Sequence, residues 1–290
     1  MLRPRGRSGP ESQPEAGFYE HIRQGYDRLA PSYDDEIGTN AIGLRMRDVF
    51  RKALMSVLHP GDFVFEIGCG TGLEALWLAR QGLEVIATDI SGEMLAQLSE
   101  KTRAEGLSER VRTRRLAARE IGSLGIDFGQ ESFDGGYSHA GALNMEPDIR
   151  SVPRQVAALL RRRGPFVFSV INKTSLFEVL FYPMVLKPRK AFRRLGNVVP
   201  IPISRREPLN RHVIPTRFYT PREILALFGD VFEVRTVQGL QVFLPPANLT
   251  DVYSVLRPLF VPLEIVEGRL STHKPVNSWG HHTILTLRRR

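Results

Sequence analysis

Cysteine is nearly absent from this sequence. Cys69 is the single cysteine among 290 residues, which excludes an intrachain disulfide and any zinc site built from several cysteines. Long apolar runs are also missing. The two most apolar stretches, LFEVLFYPMVL and VLRPLFVPLEIV, are too short to span a bilayer, and they carry Glu178, Arg257 and prolines. We therefore expect a soluble, cytoplasmic protein.

Acidic residues are outnumbered by basic ones. Lys and Arg total 40 against 31 Asp and Glu, which gives a formal net charge of +9. This balance favours acidic partners such as nucleic acid, anionic lipid or acidic small molecules. The first 16 residues are rich in Pro, Gly and charge and have no apolar core, so they are predicted to be disordered. They also lack the apolar region of a secretory signal.

Two kinds of pattern alternate between residues 62 and 171. Short apolar runs typical of buried strands are separated by amphipathic stretches of helical length. The runs are DFVFEI (62–67), LEVIATDI (83–90), RVRTRRLA (110–117), FDGGYSH (133–139) and PFVFSVI (165–171). This alternation predicts right-handed crossovers and a mostly parallel sheet with helices on both faces.

Residues 17–290 are predicted to form one α/β domain after the tail 1–16. Two further strand patterns, at 231–239 and 281–288, bring the expected sheet to seven strands. An insertion rich in proline and basic residues precedes these last two strands. The domain then divides into helices at 17–58, a core at 59–171, the insertion at 172–220, and C-terminal strands and helices at 221–290.

Glycine is concentrated where the first predicted strand meets a helix, in FEIGCGTG. Gly68, Gly70 and Gly72 allow a tight turn and a close approach of the backbone to a ligand. The spacing is not that of a dinucleotide fingerprint, and no Gly-Lys-Ser/Thr follows to form a phosphate-binding loop. Asp89, at the end of the second strand, can accept two hydrogen bonds from a ribose diol. With Glu66 before the glycines, these groups suit a nucleoside that carries a cationic amino acid.

Three segments in order, VFEIGCGTG, TDIS and FDGGYSHAGALN, resemble the class I S-adenosylmethionine (SAM)-dependent methyltransferases. The resemblance covers about residues 18–171, and YDRLAPSYDD upstream is similar to the helical lid of small-molecule members. It implies a Rossmann-like fold, SAM as methyl donor and S-adenosylhomocysteine as product. Ala117 departs from the family, because many members carry aspartate in this loop.

The same resemblance implies which residues contact the cofactor. Asp89 would hold the ribose hydroxyls, while Ile90, Ala118 and Arg119 would lie at the adenine. The other cofactor positions, at the methionine part of SAM and on the lid, are Tyr26, Tyr33, Glu66, Gly68, Cys69, Gly70, Gly72, Met94 and Ser138.

No residues show metal-ligand spacing, so no metal site is predicted. His139 follows the fourth strand at the catalytic end and is the candidate general base. Methyl transfer needs only an in-line approach to the sulfonium carbon, so His139 has the alternative role of lining the pocket.

The insertion holds most of the net charge. Between Leu186 and Arg217 nine Lys and Arg face one acid, Glu207, directly after the apolar run LFEVLFYPMVL. This order predicts either a lid for an acidic amphiphile or a segment, 176–194, that lies on an anionic membrane surface. The alternative is an ordinary solvated basic face.

The sequence thus predicts a SAM-dependent methyltransferase (EC 2.1.1.-) that acts on a small apolar or amphipathic acceptor, acidic or lipid-like in character. Two alternatives stay open. An RNA or DNA methyltransferase would fit the basic charge, but neither an Asn/Asp-Pro-Pro-Tyr motif, a catalytic cysteine nor an appended RNA-binding module is present. The other alternative is a non-catalytic SAM-binding scaffold protein.

Overall fold

The computed structural model describes residues 16–37, 40–196, 198–203 and 212–290. The tail predicted as disordered, residues 1–16, lies outside the described residues except for Ala16, with which the first helix begins. Part of the basic insertion, residues 204–211, also lies outside them.

Seven strands form a mostly parallel sheet in the order β3-β2-β1-β4-β5-β9-β8. β1 to β5 run parallel, and β9 is antiparallel to both of its neighbours. A separate antiparallel pair, β6 and β7, lies in the insertion. The bounds are β1 Phe63–Ile67, β2 Glu84–Asp89, β3 Val111–Arg115, β4 Gly135–Ser138, β5 Pro165–Ile171, β6 Val198–Pro202, β7 Val213–Arg217, β8 Phe232–Leu240 and β9 His282–Arg289. The predicted α/β fold with a seven-stranded sheet is confirmed.

Apolar side chains cover both faces of the sheet. Because successive side chains of a strand point to opposite faces, Phe65 and Ile67 pack into one cluster and Val64 into the other. Phe166 and Phe168 of β5 join the first cluster, while the neighbouring strands supply valine and alanine to the second. Burial on both faces is why the central strands appear in the sequence as continuous apolar runs.

Helices cover the two faces and one end of the sheet. Several begin at side-chain caps; Ser91, for example, accepts a hydrogen bond from the N–H of Met94 at 3.1 Å. The α-helices are α1 Ala16–Leu29, α2 Tyr33–Ile37, α3 Ala41–Met55, α4 Leu73–Arg80, α5 Gly92–Ala104, α6 Leu124–Phe128, α7 Val152–Leu159, α8 Leu176–Met184, α9 Pro188–Ala191, α10 Pro221–Phe228, α11 Thr250–Val255 and α12 Arg257–Leu270.

The predicted insertion, 172–220, contains α8, α9, β6 and β7, and α10 follows it before β8. A second insertion, between β8 and β9, contains α11 and α12. The two insertions meet, because the rings of Phe177 on α8 and Phe260 on α12 lie 6.1 Å apart. Arg45 on α3 also donates to Glu264 on α12 at 2.8 Å. α12 therefore contacts both α3 and the insertion that contains α8.

Not every basic residue of the insertion is solvated. Arg194 is 3% exposed and forms an ion pair at 2.5 Å with Glu178, which is fully buried. The guanidinium also donates to the carbonyl of Asn172 at 3.1 Å. Within the described residues, no helix has both the length and the apolar composition needed to cross a bilayer.

Candidate functional site

A cleft opens where β1, β2 and β4 end, beneath α1 and α2. The empty space between its walls is about 890 Å³, including the part open to solvent. The residues that line it are Tyr19, Ile22, Tyr26, Tyr33, Arg47, Glu66, Ile67, Gly68, Cys69, Gly70, Leu73, Glu74, Asp89, Ile90, Leu116, Ala117, Ala118, His139, Ala140, Ala142, Met145 and Glu146. This is the edge at which open α/β sheets bind ligands.

The glycine loop between β1 and α4 forms the floor of the cleft. The N–H groups of Gly68 and Cys69 both donate to the carbonyl of Thr88 at 2.9 Å, which fixes the loop to β2. Gly68 has φ +71°, and a Cβ added there would lie 2.4 Å from the Cβ of Ala142. Only glycine therefore fits between the two loops that follow β1 and β4.

Asp89 ends β2 beside this loop. Its Oδ2 accepts the N–H of Gly70 at 2.8 Å and its Oδ1 accepts the N–H of Ser91 at 2.9 Å. Burial raises the pKa of Asp89, and the backbone hydrogen bonds oppose that rise. Because two backbone donors fix its orientation, the carboxylate keeps its remaining lone pairs available to a ligand in the cleft.

Glu66 is a second carboxyl group in the wall, only 1% exposed. Its side chain accepts a hydrogen bond from the hydroxyl of Tyr137 at 3.0 Å. Burial raises the pKa of Glu66 well above its ordinary value, and the nearby charge of Glu74 adds to the rise. A cation bound in the cleft would favour the ionised form of this group.

A buried ion pair joins the walls of the cleft. Arg47 on α3 bonds to Glu74 on α4, and their side chains are only 6% and 4% exposed. Burial would raise the pKa of Glu74, but Arg47, His139 and Arg51 together outweigh it, and the net shift of the pKa is downward. Sequence reasoning missed this pair. The signal was a basic residue within the apolar stripe of a helix, between Met46 and Phe50.

Two tyrosines from the N-terminal helices lie over the cleft. The Tyr26 hydroxyl contacts the sulfur of Met145 at 3.1 Å, and a Cβ on Gly70 would lie 3.6 Å from the ring of Tyr33. Burial raises the pKa of Tyr33 to about 12. Both tyrosines are therefore neutral at physiological pH.

Hydrogen bonds hold these helices against the loops of the site. The Thr71 hydroxyl donates to Asp34 at 2.5 Å, and Lys101 bonds to the same carboxylate. The Ser91 hydroxyl donates to Asp27 at 2.6 Å. The helical lid is thus tied to the loops that follow β1 and β2.

His139 follows β4 and stacks on Phe50, with ring centroids 4.0 Å apart. Its Nδ1 lies 3.1 Å from the hydroxyl of Ser169, which already accepts the N–H of Ala140. We assign the Ser169 proton to a hydrogen bond with Nδ1, which puts the imidazole proton on Nε2. Nε2 is buried and finds no partner among the described residues. His139 lines the cleft, and in this tautomer its Nε2 carries a proton without an acceptor among the described residues.

Acidification is expected to destabilise the protein through His139. Burial lowers the pKa of His139 from 6.5 to about 4. Between these values the unfolded chain binds the proton and the folded one does not, so the free energy of unfolding falls as pH falls. The contribution is about 3 kcal/mol across the window. Denaturant unfolding at several pH values should show that His139→Gln loses about 3 kcal/mol less of its free energy of unfolding than the wild type between pH 6.5 and pH 4.

His59 gives a control on the surface, because its side chain is 76% exposed. His59→Gln should leave the slope between pH 4 and 6.5 unchanged. Equal slopes for the wild type and His139→Gln would contradict the assigned burial of the imidazole.

Glu146 and Tyr19 close the outer end of the cleft, next to Ile90 and Ala118. Glu146 accepts the Tyr19 hydroxyl at 2.6 Å and the N–H of Arg119 at 3.1 Å. The Arg119 guanidinium lies over the Tyr19 ring, 4.2 Å from its centre. Arg119 lines a smaller adjoining cavity rather than the main cleft. Sequence reasoning had not assigned a role to Tyr19.

The structure brings most of the predicted cofactor residues together in the cleft wall, but three lie behind it. Gly72 packs on Leu98, Met94 is fully buried, and the Ser138 hydroxyl donates to the carbonyl of Ile67 at 2.9 Å. These three do not line the main cleft, and Arg119 lines the adjoining one, so the contact of these four residues with the cofactor stays a prediction. The predicted residues in the wall are Tyr26, Tyr33, Glu66, Gly68, Cys69, Gly70, Asp89, Ile90, Ala118 and His139.

Residues 64–164 match a protein family described as a methyltransferase domain. Over 234 residues, the chain is 29% identical to the uncharacterised protein MJ1252 of Methanocaldococcus jannaschii, covering 78% of this chain and 82% of that one. Other curated relatives, several of them methyltransferases, are matched over 46–56% of their own length.

Two solved structures share the fold. The [4+2]-cyclase SpnF superposes with a TM-score of 0.60 at 16% identity, over 92% of this chain and 94% of SpnF. The 1,6-didemethyltoxoflavin-N1-methyltransferase of Burkholderia thailandensis, with bound S-adenosylhomocysteine, superposes with a TM-score of 0.58 at 19% identity, over 98% and 93% of the two chains. Identities this low establish similarity of fold alone.

Proposed function

We propose that this chain, a member of the class I, Rossmann-like methyltransferases, binds SAM in the cleft beneath α1 and α2 and methylates a small-molecule acceptor. The observation that carries the proposal is the setting of Asp89. Its carboxylate is oriented by the N–H groups of Gly70 and Ser91 and lies in the cleft wall beside the glycine loop. This is the arrangement that a ribose diol requires.

The other groups in the wall fit the remaining parts of SAM. Glu66 can pair with the α-ammonium group, and Arg47 with the α-carboxylate. Apolar residues at the outer end, Ile90, Leu116 and Ala118, provide a surface for the adenine ring. The methionine part would follow the glycine loop, whose Gly68, Cys69 and Gly70 line the cleft. Both the donor set and the shape of the cleft therefore fit the cofactor.

When bound, SAM supplies a methyl group made electrophilic by the sulfonium charge. The chain has to place an acceptor in line with it and exclude water. Tyr26 and Tyr33 cover the cleft and can exclude solvent. The Nε2 proton of His139 can orient an oxygen or nitrogen of the acceptor by a hydrogen bond. With the pKa of His139 lowered to about 4, the imidazole stays neutral at physiological pH.

The cleft walls support an apolar or amphipathic acceptor. Beyond the polar groups assigned to SAM, its surface comes from Ile22, Leu73, Ala142 and Met145 together with the tyrosines. We further propose that α8 and the β6–β7 pair, within the predicted insertion 172–220, belong to the acceptor side of the domain. The contact of Asn144 with the carbonyl of Arg217, at 2.6 Å, supports this assignment because it joins the loop after β4 to β7.

The test is transfer of label from methyl-labelled SAM to a panel of amphipathic carboxylic acids, phenols and quinols. We expect label in an extracted product together with an equal amount of S-adenosylhomocysteine. Because the cyclase SpnF has the same fold, the label decides between methyl transfer and other chemistry. The protein could instead bind SAM tightly but form no S-adenosylhomocysteine, either with this panel or with a total lipid and metabolite extract. That result would contradict methyl transfer and favour the scaffold alternative.

A further inference from the structure

Exposed apolar side chains are concentrated in two segments of the chain. Among the described residues, eighteen large apolar side chains are exposed, and fourteen of these lie within 180–198 and 255–270. A soluble surface normally carries such side chains singly. The fourteen are Leu180, Met184, Val185, Leu186, Phe192, Leu195, Val198, Val255, Leu256, Leu259, Val261, Ile265, Val266 and Leu270.

The two segments are neighbours in space. The ring of Phe260 on α12 lies 6.1 Å from that of Phe177 on α8, and the ring of Phe181 stacks on Phe177 at 5.3 Å. Tyr253 on α11 packs on the other side of Phe260 at 5.8 Å. We call the exposed apolar side chains of segments 180–198 and 255–270 together the apolar surface.

The exposed charge within the two segments is positive. Segment 180–198 contains no acidic residue. The two acids of segment 255–270 are both occupied: Glu264 bonds to Arg45, and Glu267 accepts backbone N–H groups, including that of Val242 at 2.8 Å. The exposed basic residues in the two segments are Lys187, Arg189, Lys190, Arg193, Arg257 and Arg269.

We propose that the apolar surface docks on an anionic lipid bilayer. Side chains as exposed as Leu186 (90%), Met184 (81%) and Val255 (79%) would enter the boundary between headgroups and acyl chains. The surrounding Lys and Arg would lie at the level of the anionic headgroups. A second copy of the chain fits poorly, because the same positive charges would then face each other. The surface is also too apolar for a nucleic-acid backbone.

The α12 part of the apolar surface lies behind the cleft wall rather than in it. On α3, Arg45 bonds to Glu264 of α12, whereas Arg47 lines the cleft. Residues two apart on a helix point to nearly opposite sides, so α3 separates this part of the apolar surface from the cleft. The proposal therefore goes beyond methyl transfer and does not depend on SAM.

The experiment is sedimentation of the purified chain with two kinds of vesicle, phosphatidylcholine alone and phosphatidylcholine mixed with phosphatidylglycerol. We expect binding to the mixed vesicles and little to the neutral ones. Lys187→Glu with Lys190→Glu should weaken binding at least about 30-fold, because each basic residue near the headgroups contributes about 1 kcal/mol. Leu186→Ser with Leu259→Ser should also weaken binding, by at least about tenfold, because the inserted side chains are lost.

Matched controls lie away from the surface. Ile126 is 86% exposed on α6, so Ile126→Ser removes an equally exposed apolar side chain and should bind like the wild type. Arg103→Glu with Arg162→Glu changes the net charge by the same amount as the lysine pair and should weaken binding far less.

Three results would overturn the proposal. The first is a folded wild-type protein that does not bind the mixed vesicles. The second is binding that survives the leucine substitutions unchanged, which would mean adsorption by charge alone. The third is a wild-type dimer that Leu186→Ser with Leu259→Ser converts into monomers, which would make the surface a contact between copies. None of these results depends on SAM binding or turnover.

Discussion

Replacing Asp89 by alanine is expected to weaken SAM binding at least about 100-fold. A hydrogen bond to a charged group contributes about 1.5–3 kcal/mol, and the ribose diol would lose two of them. The substitution also removes the acceptors of the Gly70 and Ser91 N–H groups, which orient the loops on either side. Equilibrium dialysis with labelled SAM measures the change directly.

Ser91→Ala is a control that distinguishes the contact of the Asp89 carboxylate with the ligand from its effect on the neighbouring loops. That variant loses the helix cap to Met94 and the hydrogen bond to Asp27 but keeps Asp89. We expect its affinity for SAM to fall by less than about tenfold, because the cap and the hydrogen bond to Asp27 support the loop and neither is made to the ligand. If Asp89→Ala is folded and binds SAM within a few-fold of the wild type, the ribose assignment is wrong.

Arg47→Met is expected to lower the free energy of unfolding by about 3 kcal/mol, because the buried carboxylate of Glu74 loses its hydrogen-bonded partner and keeps only the longer ion pair with Arg51, at 3.7 Å. The two side chains are 6% and 4% exposed, so solvent cannot replace the lost cation. Arg47→Met with Glu74→Leu should recover much of the loss, since neither charge then remains. Urea unfolding of the three proteins measures these differences.

Arg45 provides a control on the same helix. Its pair with Glu264 is partly exposed, with side chains 31% and 20% accessible. Arg45→Met should therefore cost no more than about 1 kcal/mol. Equal losses for Arg45→Met and Arg47→Met would contradict the special role of the buried pair. Loss of SAM binding in the stable double variant would further support Arg47 as the partner of the α-carboxylate.

The core of the fold was predictable because its signals are local. A buried parallel strand appears in the sequence as a short apolar run, and the glycine loop is recognised by three glycines within five residues. The β6–β7 pair was not predicted. Pro200 and Pro202 lie in one strand and Pro215 in the other, and proline removes the donors that a ladder uses. The two strands are short and lie outside the main sheet, where such losses are tolerated.

The site was only partly predictable because much of it rests on long-range pairs. Arg47 and Glu74 come from different helices, and Tyr19 reaches Glu146 across 127 positions. No pattern in the local sequence indicates that such residues are in contact. The family resemblance places Ser138 close to the methionine part of the cofactor, and in the structure its hydroxyl donates to the carbonyl of Ile67. The partner of such a side chain depends on tertiary contacts that the local sequence does not give.

The apolar surface shows the same limit. In the sequence, VLRPLFVPLEIV resembles a core helix or a loop, because composition alone does not reveal which side chains are covered. In the structure, Phe260 packs inward, whereas Leu259 and Val261 on either side are exposed. Contact with a membrane was one of the alternatives that the sequence left open for segment 176–194, beside a lid and a solvated basic face. The continuation of this segment onto α12 depends on the packing of two insertions that are distant in sequence.

The most direct measurement of the central claim is a calorimetric titration of the wild-type protein with S-adenosylhomocysteine and SAM. A cleft built as described should bind one molecule of either ligand per chain, with a dissociation constant in the micromolar range. Adenosine alone should bind more weakly, because it leaves Glu66 and Arg47 without partners. Absence of binding by both ligands, in protein shown to be folded by its unfolding transition, would contradict the assignment of the cleft to SAM.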